Sequence, residues 1–292
     1  MTRSLHAVPS TSTLLRTAAV VAANARAAPA LRPSRLRRVA FDPLFARDVA
    51  LPLAAAAYGV LGGGPVVLPT GFGQTALIRA DGAALTAMSD PHPAVTAMTK
   101  DTNIFGLMGH NPASRTAFVS FRGSADLADW LADIDAIPQP YLPIAGFGQV
   151  HAGFQQVYEL VRDSVAANLA PATAGADHLL VTGHSLGAAL AVLAAPDIRR
   201  NMPPNTIEPR LITFAGPRVG LSDFAAAFNA AIESCYRVVN FLDIVPHVPP
   251  SPYVHVGVEI DVDSGGAIDV AWRHSLAAYR DGLTALSAAV SA

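Results

Sequence analysis

Residues 178–195, His-Leu-Leu-Val-Thr-Gly-His-Ser-Leu-Gly-Ala-Ala-Leu-Ala-Val-Leu-Ala-Ala, decide the fold of this chain. The short apolar run at 179–181 predicts a buried strand. It leads into Gly-His-Ser-Leu-Gly at 183–187 and then into an Ala- and Leu-rich helix that we expect Pro196 to end. A strand, a G-x-S-x-G turn and a helix are typical of a nucleophile elbow, in which strained backbone exposes the hydroxyl of Ser185. The alternative is a tight strand-to-helix turn with no chemistry.

The composition fits one large α/β domain or two small ones. The chain has 292 residues, of which 51% are apolar and only 14% charged, so it can bury a sizeable core. Its net charge of −2 hides an asymmetry, because residues 1–41 contain seven arginines and no acid, whereas the remainder contains 13 basic and 22 acidic residues. An acidic body argues against nucleic acid as a partner, since phosphate binding needs a basic face.

The Arg-, Ser/Thr- and Ala-rich N-terminal segment differs in composition from the rest of the chain. We predict a poorly ordered arm over 1–40 and a single domain over 41–292; a transit-peptide-like segment and a weak signal peptide are the alternatives. No stretch reaches ~18 uninterrupted apolar residues, so no transmembrane segment is predicted. The single cysteine, Cys235, excludes an internal disulfide. Together with the lack of a convincing signal peptide, this favours a soluble cytoplasmic protein over a secreted one.

Apolar strand patterns alternate with amphipathic helices along the rest of the chain. Strands are predicted at 104–108, 117–121, 211–214, 236–241 and 254–262, with a short strand at 267–270 pairing back. Further helices are predicted at 48–58, 154–169, 224–232 and 274–286. This alternation predicts a mainly parallel central sheet with helices on both faces. Residues 61–100 give no clear assignment.

A serine nucleophile needs an imidazole base and a carboxylate that orients the imidazole. In hydrolases with this elbow, the order along the chain is serine, then Asp or Glu, then His. Ser185, Asp243 and His274 satisfy that order. Asp243 follows the C-terminal end of a predicted strand, at the edge where the sites of open α/β sheets form. This position favours it over the other candidate acids, Asp223, Asp261, Asp263 and Asp269.

Three histidines follow Asp243 in the chain. His247 lies only four residues further on, in a loop stiffened by prolines, and His255 lies in a strand pattern that is more typical of a packed core histidine. His274 follows a long segment outside the sheet, so its side chain can reach over the nucleophile. His184 adjoins the nucleophile, but we interpret its side chain as packing of the elbow.

The oxyanion of an ester reaction needs hydrogen-bond donors. The N–H of Leu186, at the start of the elbow helix, supplies one. We expect the second from the loop after an earlier strand, where Arg122-Gly123-Ser124 lies. Ser124 offers an N–H and a hydroxyl, although the motif alone also fits a plain turn.

Five motifs in order resemble the class 3 lipases, the fungal-type triacylglycerol lipase and feruloyl esterase group. They are Phe121-Arg122-Gly123-Ser124, Val150-His151-Ala152-Gly153-Phe154, the elbow from Val181 to Ala191, Phe214-Ala215-Gly216-Pro217-Arg218-Val219-Gly220, and Arg237-Val238-Val239-Asn240 with Asp243-Ile244-Val245-Pro246. The resemblance runs from about Phe105 to Tyr279. It implies an α/β-hydrolase fold, a triad of Ser185, Asp243 and His274, and an oxyanion hole formed by Ser124 and Leu186.

The resemblance also implies that the helix after Ser124 is a lid. Its apolar residues fall at helical spacing, with aspartates between them: Leu127, Trp130, Leu131 and Ile134. As a lid, this helix would cover an apolar pocket or meet a lipid surface, and its negative charge would favour neutral esters over anionic phospholipid surfaces. An ordinary amphipathic helix packed on the body is the alternative.

The chain departs from the family pattern in three places. Arg273 precedes the histidine where members often have an acidic residue, the disulfides of secreted fungal members are missing, and the first hundred residues find no clear counterpart.

Residues 261–265 superficially suggest a calcium loop, but Gly265 and Trp272 stand at positions five and twelve, where a calcium loop needs oxygen ligands. No metal site is therefore predicted.

The sequence predicts a serine esterase or lipase that cleaves carboxylic esters through an acyl-enzyme, without cofactor or metal. A phospholipase A1 and a feruloyl-type esterase are the alternatives with the same triad. A non-catalytic hydrolase-fold protein that binds lipid or a partner is the alternative from another class. The expected partners are an ester substrate and, transiently, a lipid interface.

Overall fold

The computed structural model describes residues 39–62, 66–100, 102–124, 136–202 and 207–291. These residues all belong to one compact unit, Arg35–Ala292. Residues 1–38 of the predicted arm and the predicted lid residues Leu127, Trp130, Leu131 and Ile134 lie outside the described residues.

A central sheet of seven strands organises the described part of the chain. Its strands and those of a small second sheet are β1 Gly73–Arg79, β2 Ile104–Asn111, β3 Thr116–Phe121, β4 Pro138–Pro140, β5 Gln149–His151, β6 His178–His184, β7 Pro209–Phe214, β8 Cys235–Asn240 and β9 Val258–Val262. The order across the central sheet is β1-β2-β3-β6-β7-β8-β9, and β4 pairs with β5 separately. β1, β2 and β3 pair antiparallel, and every pairing from β3 to β9 is parallel. The prediction of a mostly parallel sheet is confirmed.

Helices follow the strands in the order expected of an α/β fold. Those described are α1 Pro43–Phe45, a π-helical turn Ala46–Ala50, α2 Leu51–Gly59, α3 Gly82–Ala87, α4 Pro93–Thr99, α5 Ala152–Ala172, α6 Leu186–Asn201, α7 Ser222–Ala231, α8 Val270–His274 and α9 Leu276–Ser291. Short 3₁₀ turns occur at Val60–Gly62 and Val245–His247.

The helices bury two hydrophobic cores, one on each face of the sheet. Because successive side chains of a strand point to opposite faces, Leu180 belongs to one core and Val181 to the other. The core around Val181 includes α5, α6 and α7, whereas α2 and α9 cover the face that holds Leu180. Two buried faces explain why the strands of the parallel part are apolar without alternation.

The structure corrects the predicted end of the elbow helix. α6 continues through Pro196 to Asn201. A proline inside a helix removes one backbone hydrogen bond and costs roughly 3 kcal/mol. The helix persists because it is buried continuously from Leu186 to Ile198, so the packing of its neighbours outweighs this local cost.

The predictions after β8 were also partly wrong. No strand forms at 267–270, since these residues are exposed and the Asp269 side chain instead caps α8 through the N–H of Trp272. The predicted last helix is two helices, α8 and α9, with Ser275 between them. The strand predicted at 254–262 begins at Val258, after Gly257 with a φ of 69°. Residues 61–100, unassigned from sequence, supply β1, α3 and α4.

Candidate active site

Ser185 lies in the sharp turn between β6 and α6. Its backbone has φ 58° and ψ −130°, a conformation that non-glycine residues rarely adopt. The N–H of Ser185 donates to the carbonyl of Phe214 at 3.0 Å, and its own carbonyl accepts from Ala188 N–H at 2.9 Å. Strained backbone is thus held between the neighbouring strand and the first turn of α6.

The glycines on either side of Ser185 are required by close backbone contacts. A Cβ atom on Gly183 would lie 2.3 Å from the carbonyl oxygen of Gly187, and one on Gly187 would lie 2.3 Å from the carbonyl oxygen of Phe121. Both contacts are with backbone, which cannot move aside as a flexible side chain can. The turn therefore has the backbone form of a nucleophile elbow.

Asp243 and His274 meet at the C-terminal edge of the sheet. Asp243 follows β8 and is fully buried. His274 ends α8, and its Nδ1 lies 3.0 Å from Asp243 Oδ2 and 3.1 Å from Oδ1. Because a carboxylate accepts hydrogen bonds, Nδ1 carries the proton and Nε2 keeps its lone pair. This is the tautomer that a general base next to a serine needs.

Asp243 is held by two further donors. Its Oδ1 accepts from the N–H of Val245 at 3.0 Å, and its Oδ2 accepts from the hydroxyl of Tyr279 at 2.7 Å. Burial, followed by the negative charge of Asp243, raises the pKa of Tyr279 well above its usual value, so the phenol stays protonated and donates. No sequence motif identified Tyr279, whose spacing from His274 in α9 carries no recognisable signal.

His184 contacts the backbone of His274 rather than serving only as packing. Its Nε2 lies 2.8 Å from the carbonyl oxygen of His274, and its Nδ1 lies 2.9 Å from the hydroxyl of Tyr58. Burial, and then the nearby His274, lowers the pKa of His184 well below its usual value. Neutral His184 therefore donates through Nε2 and accepts from Tyr58 through Nδ1. Tyr58 comes from α2, a region where the sequence showed no family pattern.

The loop after β3 lies directly beside the elbow. A Cβ atom on Gly123 would lie 3.1 Å from Ser185 Cβ and 2.4 Å from the Tyr58 hydroxyl. Buried Arg122 fixes this loop by donating to the carbonyls of Ile104 at 2.6 Å and Gly123 at 2.9 Å. The structure thus brings the Arg-Gly-Ser loop, with half-buried Ser124, to the same end of the sheet as Ser185 and Leu186.

Within the described part of the chain, the Ser185 hydroxyl makes no hydrogen bond. Catalytic hydrogen bonds of free enzymes are often absent or long and form when substrate binds, so this geometry does not argue against a catalytic role for Ser185.

The other candidate histidines and acids have different partners. His255 Nε2 donates to the carbonyl of Pro246 at 2.7 Å, and burial, followed by the charge of Arg237, lowers its pKa to about 4. The remaining acids make other contacts or are exposed: Asp223 accepts from Phe224 N–H, Asp263 pairs with Arg273, Asp269 caps α8, and Asp261 is exposed.

A cavity of about 570 Å³ opens at the opposite edge of the sheet, near the beginnings of β3, β6 and β7. Its lining includes Thr116, His178 and Pro209 but no residue of the Ser-Asp-His cluster. Sites in open α/β sheets form at the carboxyl ends of the strands, so we place the candidate site at the Ser185 edge.

The described residues hold no cluster of potential metal ligands, and none of their helices has the length and apolar character needed to cross a bilayer.

Comparisons with known proteins agree with this geometry. Residues 118–253 match the family model described as lipase (class 3). The lipase of Rhizopus niveus is 36% identical over 177 residues, which cover 58% of this chain and 44% of that protein. Phospholipase A1-II 1 of Oryza sativa subsp. indica is 31% identical over 172 residues, covering 52% of this chain and 44% of that protein. The chain thus spans less than half the length of these curated relatives.

The fold agrees with a solved lipase structure over most of the chain. The Rhizomucor miehei lipase propeptide complex superimposes with a TM-score of 0.58 and 26% identity. The match covers 80% of this chain and 73% of that one.

Proposed function

We propose that the chain is a member of the class 3 lipase family, whose family model matches residues 118–253, and that it is a serine hydrolase that cleaves carboxylic esters through an acyl-enzyme. The observation that carries the proposal is the contact of His274 Nδ1 with both carboxylate oxygens of Asp243, at the same edge of the sheet as a serine held at positive φ. In this proposal Ser185 is the nucleophile, His274 the general base and Asp243 the group that orients it.

The proposed cycle has two proton transfers in each half. His274 Nε2 takes the proton of Ser185 Oγ as that oxygen attacks the ester carbonyl, and then gives it to the leaving alcohol. In the second half, His274 deprotonates a water molecule, which attacks the acyl-serine. His274 finally returns the proton to Ser185 as the carboxylic acid leaves. Asp243 stabilises the imidazolium that forms in each half.

The negative oxygen of the tetrahedral intermediate needs donors that are already in place. The N–H of Leu186 belongs to the first turn of α6, where backbone N–H groups have no partner within the helix. We propose that Ser124 supplies the second donor, since its loop lies against the elbow through Gly123. Prearranged donors of this kind are typically worth about 3 kcal/mol of transition-state stabilisation each.

A lipid ester is the substrate class that the relatives support, because the Rhizopus niveus relative is named a lipase. We therefore propose a triacylglycerol lipase or esterase. Phospholipase A1 activity is the second candidate, supported by the rice relative of that name. The two candidates use the same triad and differ only in the lipid that reaches it.

Exposed apolar side chains near the triad support transient contact with a lipid interface. We call this set the apolar rim: Phe241, Leu242, Ile244, Ile268 and Val270. Three of its members flank Asp243 and two precede His274 in the chain. Ile268 is 80% exposed and Phe241 is 58% exposed. Transfer of these apolar side chains from water into a lipid phase would be favourable.

A p-nitrophenyl ester series from butyrate to palmitate tests the proposal, measured below and above the concentration at which the long esters aggregate. The Ser185→Ala variant should lose on the order of 10⁴- to 10⁶-fold in kcat, by analogy with other triad deletions. A rate jump at aggregation would identify a lipase, whereas smooth saturation with short esters preferred would identify an esterase. An unchanged rate in Ser185→Ala, or inertness to a serine-directed phosphonate, would overturn the mechanism.

Two further assays separate the finer proposals. Release of an outer-position fatty acid from phosphatidylcholine vesicles would establish the phospholipase A1 candidate. Replacing Ile268 by Ser should lower the rate on aggregated palmitate while leaving monomeric butyrate unchanged. Val67, 85% exposed and outside the rim, offers the matched control Val67→Ser. Equal effects of the two substitutions would contradict interfacial contact through the rim.

A further inference from the structure

Residues 263–273 form the segment that places His274 beside Asp243, and this segment makes few buried contacts of its own. Residues 265–271 are all exposed, and Gly265 and Gly266 have φ values of 60° and 72°. α8 itself has only five residues, Val270–His274. A segment of this kind does not hold a side chain in place through its own packing, because few buried apolar contacts mean low local stability.

Arg273 is the residue at which this exposed segment returns to the body of the protein. Its side chain is only 5% exposed, and its charge is paired with Asp263 at the start of the same segment. The Nε of Arg273 donates to the carbonyl of Ala267 at 2.8 Å, and Nη1 donates to Asp263 Oδ1 at 2.8 Å. One guanidinium therefore bonds the middle and the beginning of the segment that ends at His274. The planar, multiply donating guanidinium suits this role, which an ammonium could fill only in part and a carboxylate could not fill.

Asn240 holds the same segment from the sheet. Its Nδ2 donates to the carbonyl of Arg273 at 2.8 Å, and its Oδ1 accepts from Ser264 N–H at 3.0 Å. Asn240 is the last residue of β8, three residues before Asp243. The two ends of this segment are therefore bound to each other and to the end of β8, the strand that Asp243 follows.

We propose that Arg273 is a positioning residue for the catalytic histidine: by closing residues 263–273 into a loop, it fixes His274 against Asp243. This inference rests on the proposed function, since it gives His274 the role of general base. It also accounts for the departure from the family pattern at this position. An acidic residue there could not bond the carbonyl of Ala267 or pair with Asp263, whereas arginine does both.

A second ion pair in the same molecule provides a matched control. Arg237 is also buried, donates through Nε to the carbonyl of Val256 at 2.9 Å, and pairs with half-exposed Glu259 at 2.8 Å. Its carboxylate partner lies on β9, outside the segment that carries His274. Neutralising Glu259 removes the same kind of interaction as neutralising Asp263 without touching the 263–274 loop.

The test compares Arg273→Met, Arg273→Lys and Asp263→Asn with Glu259→Gln, using p-nitrophenyl butyrate. A misplacement of about 1 Å at a reacting group costs on the order of 10²-fold, so Arg273→Met should lower kcat by roughly 10- to 100-fold with little change in KM. Asp263→Asn should lower kcat by about 3- to 10-fold, because the hydrogen bond stays but loses one charge. Arg273→Lys should recover part of the loss, and Glu259→Gln should retain the wild-type kcat.

A spectroscopic readout separates positioning from loss of stability. The Nδ1 proton of His274, hydrogen-bonded to Asp243, should give a low-field proton resonance at acidic pH that broadens or shifts in Asp263→Asn and stays in place in Glu259→Gln. Asp263 is exposed, so this variant keeps the fold even where Arg273→Met does not. Equal kcat values and identical resonances in Asp263→Asn and Glu259→Gln would overturn the proposal. Activity that survives Ser185→Ala would instead overturn the proposed function itself.

Discussion

The hydroxyl of Tyr279 donates a 2.7 Å hydrogen bond to Asp243 Oδ2, the same oxygen that lies 3.0 Å from His274 Nδ1. One carboxylate oxygen is thereby shared between a phenol on α9 and the imidazole at the end of α8. The same hydroxyl also accepts from the N–H of Asn240 at 3.1 Å, so its position is fixed from both sides. Tyr279 thus connects the Asp243 carboxylate to α9.

Replacing Tyr279 by Phe should slow the reaction. The variant removes one of the donors to Asp243 Oδ2, so the carboxylate is held less firmly against His274. Loss of a hydrogen bond to a charged group should lower kcat/KM by about tenfold. Steady-state kinetics on p-nitrophenyl butyrate measure the change.

Tyr141→Phe is the control for this change. The Tyr141 hydroxyl is equally buried and donates to the carbonyl of Leu193 at 2.6 Å. Tyr141→Phe should lower the free energy of unfolding by a similar amount without lowering kcat/KM. If both variants retain the wild-type kcat/KM, Tyr279 serves the packing of α9 alone.

Removing the strain at Ser185 should stabilise the protein while abolishing activity. A residue at φ 58° and ψ −130° is costly for any side chain with a Cβ atom, by about 1 to 3 kcal/mol, and glycine avoids that cost. Since glycine also loses more entropy on folding, Ser185→Gly should exceed Ser185→Ala by about 1 kcal/mol in free energy of unfolding. Urea titration of the two inactive variants measures the difference. Equal stabilities would show that the elbow backbone stores no strain.

The hydroxyl of Tyr58 should affect turnover although it lies far from Ser185 in the chain. Tyr58→Phe removes the donor to His184 Nδ1, and His184 in turn holds the carbonyl of His274. We expect kcat to fall by roughly 3- to 10-fold with KM unchanged, because a positioning group is lost and the substrate pocket is kept. Steady-state kinetics on p-nitrophenyl butyrate provide the measurement. A raised KM at constant kcat would place Tyr58 in substrate binding instead.

Stability should fall below neutral pH because of His255. Its pKa is about 4 in the folded protein, lowered mainly by burial, whereas an unfolded histidine titrates near 6.5. Above the unfolded pKa both states are neutral and the full stability is present. As the pH falls from about 6.5 to about 4, the unfolded state binds the proton first, and up to about 3 kcal/mol is lost.

The measurement is the midpoint of urea unfolding at several pH values in wild type and His255→Gln. The glutamine amide can still donate to the carbonyl of Pro246, which His255 does at 2.7 Å. The variant should show a flatter pH dependence between 6.5 and 4. Identical slopes would assign the acid sensitivity to other groups, with buried His184 the first to examine because its pKa is also lowered.

Local pattern and chain order were sufficient for much of the fold. The elbow was recognisable because Gly183 and Gly187 are required by backbone contacts within a few residues of Ser185 or with the adjacent strand. The strands near Asp243 were recognisable because both faces of the parallel sheet are buried, which produces continuous apolar runs. Where burial and local propensity disagreed, as at Pro196, the sequence interpretation failed and burial prevailed.

The sequence by itself determined the class of fold, the elbow around Ser185 and the order of serine, acid and histidine, since these depend on local spacing and on the direction of the chain. Only the tertiary structure decided which side chains support the proposed triad. Tyr58 lies 126 residues before His184, and Tyr279 lies 36 residues after Asp243, so no local pattern records either contact. In the sequence, Arg273 is only a departure from a family pattern. The fold shows that its guanidinium donates to Asp263 and to the carbonyl of Ala267. Hydrogen bonds between distant segments form only after the sheet has brought those segments together, which is why their partners cannot be read from spacing.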